Sequence, residues 1–136
     1  MLRVLIGERG IGKTKRIIDE ANALLETAKG TIVYVDDDKS HTREINYKIR
    51  FIDACEYGIN NPVMFTGFIR GICAQDFDIE HIFIDGFLKI TGTRLEDLNE
   101  LITELDGFSE KFGVDITISM NGNKANAPEF LQPYLV

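Results

Sequence analysis

The residues whose types and spacing most plainly encode chemistry are Gly7-Glu8-Arg9-Gly10-Ile11-Gly12-Lys13-Thr14. They satisfy G-x-x-x-x-G-K-[ST] at each fixed position, the pattern of a phosphate-binding P-loop. Gly7 and Gly12 allow backbone conformations closed to other residues. Successive N–H groups can then turn inward and form a nest for phosphate oxygens. A helix starting at Lys13 adds the positive end of its dipole. The Lys13 ammonium would neutralise β- and γ-phosphates, and the Thr14 hydroxyl would coordinate Mg²⁺. With glycine at about 7% of residues, chance places this pattern in a chain of this size on the order of 0.5% of the time. The segment is therefore read as a nucleotide-binding loop, with Glu8, Arg9, Gly10 and Ile11 contributing backbone to it.

A bound triphosphate and metal need a carboxylate as second protein ligand. Asp85 follows Ile82-Phe83-Ile84 and so ends a buried strand, which makes it the expected Mg²⁺-side acid. Gly86 comes next, where many strand-end metal sites carry a glutamate that activates water. A base would have to come from elsewhere or be absent. Asp36-Asp37-Asp38 are the nearest candidates, placed where ligands bind a parallel sheet. A carboxylate there would orient water toward the γ-phosphate, and one of the three, if buried, would have a raised pKa. Ser119 and Asn121 end a later strand, where a polar group could sense the γ-phosphate or position water. Arg9 lies inside the loop. Arg43, Arg50, Arg70 and Arg94 could donate to a transition state, but no spacing singles one out. His41 and His81 have no Cys or His partners at ligand spacing, which argues against zinc.

These residues need a scaffold that places them at one edge. Leu2 to Ile6 is an apolar run of the kind buried on both faces of a sheet. From Lys13 the period changes to helical, with Ile17, Ile18, Ala21, Leu24, Leu25 and Ala28 on one side and Gly30 as the stop. Thr31 to Val35 is β-branched and aromatic, a second strand. Residues 41–48 read as a short polar helix and Arg50 to Ala54 as a third strand. Asn61-Pro62 caps a helix carrying Met64, Phe65, Phe68, Ile69, Ile72 and Cys73. Gly67 and Gly71, one turn apart, would let that helix pack closely on the sheet. His81 to Asp85 is a further strand. Thr93 and Glu96 form a capping box ahead of a helix with Leu95, Leu98, Leu101, Ile102, Leu105 and Phe108, closed by Gly113. Val114 to Met120 is another strand, and Tyr134-Leu135-Val136 could add a short last one. Strands alternating with helices predict an α/β layer fold with a mostly parallel sheet.

Composition bounds the reading. The 136 residues are 44% apolar and 27% charged, a globular balance for one domain. The 22 acidic residues exceed the 15 basic ones, for a net charge of −7, which argues against a broad basic face for nucleic acid. No apolar run approaches the roughly 20 residues of a membrane helix, and Leu2 to Ile6 is too short for a signal peptide. Cys55 and Cys73 make no disulfide framework and are expected to be reduced, buried and inert in a cytoplasmic protein.

The whole pattern resembles the core of the RecA-like ATPases. The resemblance implies a three-layer α/β/α fold in which the strand Val114 to Met120 separates the P-loop strand from the Asp85 strand. It also implies a catalytic acid just after the second strand, falling on Asp37 or Asp38. More closely, the chain is similar to small stand-alone bacterial P-loop proteins, some labelled PilT-like. Gly10 to Arg16, Gly67-Phe68-Ile69-Arg70-Gly71 and Ile84-Asp85-Gly86 carry that likeness. The expectation is an ATP- and Mg²⁺-binding ATPase in which Lys13 and Asp37 or Asp38 are catalytic. The alternatives are a non-hydrolysing nucleotide-binding regulatory module, favoured by Gly86, and a small-molecule kinase, for which no arginine cluster resembling a lid is present. A homo-oligomer or an unknown protein partner could supply a missing arginine.

Overall fold

The computed structural model describes residues 1–136. Five strands, β1 (Leu2–Gly7), β2 (Thr31–Asp36), β3 (Arg50–Asp53), β4 (Ile79–Ile84) and β5 (Asp115–Asn121), form one sheet in the order β1-β5-β4-β2-β3. Every pairing is parallel. The order is RecA-like, with β5 seated between the strand that leads into the glycine-rich turn and the strand that leads into Asp85. Parallel neighbours require crossovers, and four helices belong to them: α1 (Lys13–Leu24), α2 (Pro62–Gln75), α3 (Phe87–Thr91) and α4 (Asn99–Phe112).

The period-2 alternation of the strands sorts side chains into two cores. One face presents Val4, Ile6, Val33, Val35, Ile82, Ile84, Ile116 and Ile118 to Phe65, Ile69, Phe87, Ile102 and Leu105 of α2, α3 and α4. The other presents Ile32, Tyr34 and Phe83 to Ile17, Ile18 and Ala21 of α1, with Ile45 and Ile49 closing the side. Helices thus cover both faces, in three layers.

Several sequence expectations are corrected. The first helix stops at Leu24 rather than running to Gly30, although Leu25 and Ala28 still pack on its core. Only Thr42–Glu44 of the expected polar helix forms, as a single 3₁₀ turn. Gly67 and Gly71 are exposed, and no atom lies within 4 Å of a Cβ added at either. The buried stripe of α2 is Phe65, Ile69 and Ile72, so both glycines fall on the outer face. The capping box does not form. The Thr93 hydroxyl bonds Thr91 at 2.6 Å, residues 95–97 make a 3₁₀ turn, and α4 begins at Asn99 without a side-chain cap. Cys55 is exposed and Cys73 half-buried, both as free thiols. The last residues contribute one parallel bridge, Val4 to Leu135. No helix is long and apolar enough to cross a membrane.

The α1 side of the sheet holds one buried histidine. His81 stacks on Phe83 with ring centroids 4.0 Å apart and 3° between planes, and its Nε2 lies 2.8 Å from Thr117 Oγ1. Burial lowers its pKa from 6.5 to about 4, with Asp115 and Glu20 pulling it back up and Arg3 and the N-terminal amine pushing it down. Its folded pKa lies below its unfolded one, so the stability it contributes is present above about pH 6.5 and lost as pH falls to about 4. Each tenfold change in proton affinity is worth about 1.4 kcal/mol, so the loss over that range amounts to about 3 kcal/mol. We expect urea unfolding of His81→Gln to show lower stability at neutral pH but a shallower decline between about pH 6.5 and pH 4 than the parent chain. Parallel declines would refute this.

Candidate functional site

The C-terminal edge of the parallel sheet is where the strand ends gather the sequence-predicted residues. Gly7, the last residue of β1, pairs in register with Asn121, the last of β5. Between Gly7 and α1 the chain turns through Gly10 and Gly12 at φ 88° and 92°, values that L side chains rarely adopt. The N–H groups of this turn precede a 12-residue helix, the arrangement that binds anions. Glu8, Arg9 and Ile11 are exposed, and the Ile11 side chain folds back over Gly7, where an added Cβ would collide with its Cδ1. The backbone of all three belongs to the loop.

Lys13 folds back over the loop. Its Nζ donates to the carbonyl oxygens of Gly7 at 2.9 Å and Glu8 at 3.0 Å. Partial burial holds its pKa below the ordinary lysine value, while the Asp85 carboxylate pulls it back up. Lys13 is therefore within electrostatic reach of the Asp85 strand end. Asn121 lies beside the loop but exposed.

Asp85 is 7% exposed and held on both oxygens. Oδ1 accepts from Ser119 Oγ at 2.5 Å and from the Gly86 N–H at 3.0 Å. Oδ2 accepts from the Tyr34 hydroxyl at 3.3 Å. Ser119 is thus committed to orienting Asp85 rather than left open toward a phosphate. Sequence reasoning missed Tyr34, though the alternation that places Ile32 on the α1 face also places Tyr34 there. Carboxylate and hydroxyl oxygens are the hard donors Mg²⁺ takes, so Asp85 and Thr14 fit such an ion chemically.

The three aspartates differ sharply from one another. Their carboxylate oxygens come within 4.8 Å of each other. Asp36 ends β2 on the α1 face and is 3% exposed. Its Oδ1 accepts from the Asp37 N–H at 2.7 Å, while Oδ2 is the buried side-chain polar atom without a partner. Burial pushes its pKa from 3.8 up to about 8, helped by the Asp37 and Asp85 carboxylates. Asp37 pairs with Lys89 Nζ at 3.0 Å. Gly86, at φ 69°, leaves room for it, since a Cβ there would sit 3.1 Å from Asp37 Cγ. Asp38 is exposed and accepts at Oδ1 from Ser40 N at 2.9 Å and Ser40 Oγ at 2.6 Å. Those bonds hold its pKa below the ordinary carboxylate value. The residues left all three aspartates open and the resemblance pointed to Asp37 or Asp38, and both of these prove to be engaged by neighbours. Asp36, the one that alternation points toward the α1 face, is the buried one.

No family model matches the chain, and no curated protein matches it. Among solved structures it is similar to flagellar accessory protein FlaH from Methanocaldococcus jannaschii, with a TM-score of 0.55 and 14% sequence identity. The match covers 94% of this chain and 63% of the FlaH chain, so this chain spans less than two thirds of that protein's length. At that identity the likeness carries the fold.

Because the folded pKa of Asp36 is raised, the stability it contributes is complete below about pH 4 and is lost as pH climbs through about 8. Asp36→Asn keeps a neutral side chain throughout. We expect its gain over the parent chain to be larger at about pH 8.5 than at about pH 5 in urea titrations. A gain that does not change with pH would contradict the raised pKa.

Proposed function

We propose that this chain binds Mg-ATP through residues 7–14 and hydrolyses its β–γ phosphoanhydride. The observation that carries the reading is the loop itself: a glycine turn between a buried strand and a helix N-terminus, with Lys13 Nζ resting on two loop carbonyls. A triphosphate entering the nest would draw the ammonium from those carbonyls onto its β- and γ-oxygens. Thr14 and Asp85 would hold Mg²⁺, which when bound supplies charge neutralisation at the phosphates. Ser119 and Tyr34 keep the Asp85 carboxylate fixed in one orientation. Asn121, beside Gly7, would meet the nucleotide from the β5 side. Asp37 and Asp38 would orient water once released from Lys89 and Ser40.

A second reading is a nucleotide-binding module that does not turn over. It is favoured by the same two aspartates, both engaged by neighbours, and by Gly86 in place of an acid after Asp85. In that case nucleotide would order the loop and create a surface for a partner. Small-molecule phosphoryl transfer is not favoured by any residue in the site. The FlaH likeness adds the fold and not the substrate.

Calorimetry with Mg-ATP and Mg-GTP, paired with phosphate release on the same samples, tests the proposal. Lys13→Ala removes a charge-assisted bond to phosphate, and we expect it to weaken binding by about 10- to 100-fold. Asp85→Asn is expected to lower affinity in the presence of Mg²⁺ far more than in its absence. Binding without phosphate release would favour the module. Absence of binding to either nucleotide would refute the nucleotide site.

A further inference from the structure

A groove beside the phosphate loop holds a group that the P-loop pattern does not account for. Thr14, Lys15, Ile18 and Asp19 of α1 face His41 and Glu44 across a cavity of about 280 Å³. His41 Nδ1 lies 2.7 Å from Glu44 Oε2. A carboxylate oxygen accepts, so the tautomer that fits this contact donates from Nδ1 and turns its Nε2 lone pair outward. This is the arrangement in which one partner orients a base for the other's use.

The turn that carries the pair is fixed to the helix that carries Thr14. Asn22 Nδ2 donates to the Glu44 carbonyl at 2.8 Å, and the Asn46 N–H donates to Asn22 Oδ1 at 2.9 Å. Ile45 and Ile49 are buried against Ile17, Ile18 and Ala21. The segment that carries the pair is thereby fixed beside α1, with His41 and Glu44 facing the same cavity as Thr14.

The aspartates themselves are poorly placed to take a proton. Asp37 is paired with Lys89, Asp38 is bonded twice by Ser40, and Asp36 is buried. Gly86 brings no side chain. We propose that His41, oriented by Glu44, is the proton acceptor for the water that attacks the terminal phosphate, which approaches through this groove. A water takes about 30 Å³ of liquid, so the cavity admits the nucleophile freely. The water oxygen forms a bond to the γ-phosphorus as the bond to the β–γ bridging oxygen breaks. The nucleoside diphosphate leaves with that electron pair. The water proton passes to His41 Nε2, giving an imidazolium held by Glu44 Oε2, and is then released to solvent.

The proposal rests on the Mg-ATP reading above and is tested with binding and turnover measured separately on the full chain. His41→Ala is expected to bind Mg-ATP within about threefold of the parent while kcat falls by about 10²-fold. Glu44 is a positioning residue, and Glu44→Gln should lower kcat by about 10-fold at unchanged KM. Added imidazole should restore part of the activity of His41→Ala and none of that of Lys13→Ala, a rescue that a merely structural role would not give. An unchanged kcat in His41→Ala, or a loss that imidazole does not restore, overturns the assignment. A parent chain that binds nucleotide but releases no phosphate overturns it too, while leaving the nucleotide site standing. A parent chain that binds no nucleotide overturns both.

Discussion

The buried Asp85 carboxylate is the constraint to which the rest of the edge is built. Burying a carboxyl group costs less when its oxygens are hydrogen-bonded, and both oxygens of Asp85 are. Its partners come from different strands: Ser119 from β5 and Tyr34 from β2, with the Gly86 N–H closing the set. Each partner ties the register of a neighbouring strand to the same point. Tyr34 is in turn stacked between Phe51 and Phe83, at 6.3 and 6.4 Å between ring centroids. The aromatic packing of the α1 side therefore ends in a bond to the group proposed to face the metal.

The two faces of the sheet are unequally covered. Three helices lie on one side, whereas α1 alone lies on the other, and the segment between β2 and β3 completes that layer with Ile45 and Ile49. An irregular segment in a packing role exposes its polar turns along the helix it lies against. That is how His41 and Glu44 come to border the same cavity as Thr14.

Much of this was legible in the residues. The glycine turn between β1 and α1, the strand ending in Asp85 and the α/β layering follow from motif and periodicity. The position of β5 between β1 and β4 came from resemblance alone, since parallel pairing is non-local and leaves no mark in either strand's sequence. Among the aspartates, simple alternation from Ile32 and Tyr34 would have put Asp36 on the α1 face, but three consecutive acids hide which one turns inward. Thr93 and Glu96 fit a capping box by spacing, yet Gly92 ends α3 in a left-handed turn at φ 61° and redirects the Thr93 hydroxyl to Thr91. Local signals of that kind lose to the geometry of the preceding turn. Lys89 could not be paired with Asp37 from sequence, because α3 gave no periodic signal over its five residues.

The strand order also sets a timetable for assembly. The full partner of β1 is β5, with Leu2 opposite Ile116 and Gly7 opposite Asn121. The glycine turn after β1 is thus synthesised well before β5, the strand that supports it. At about 5–20 residues per second, the apolar face of β1 waits for several seconds without its partner. A long closure of this kind is slow to form. The loop most central to the proposed activity therefore has its strand-end neighbour only once β5 has docked, and truncation before β5 would leave it without that neighbour.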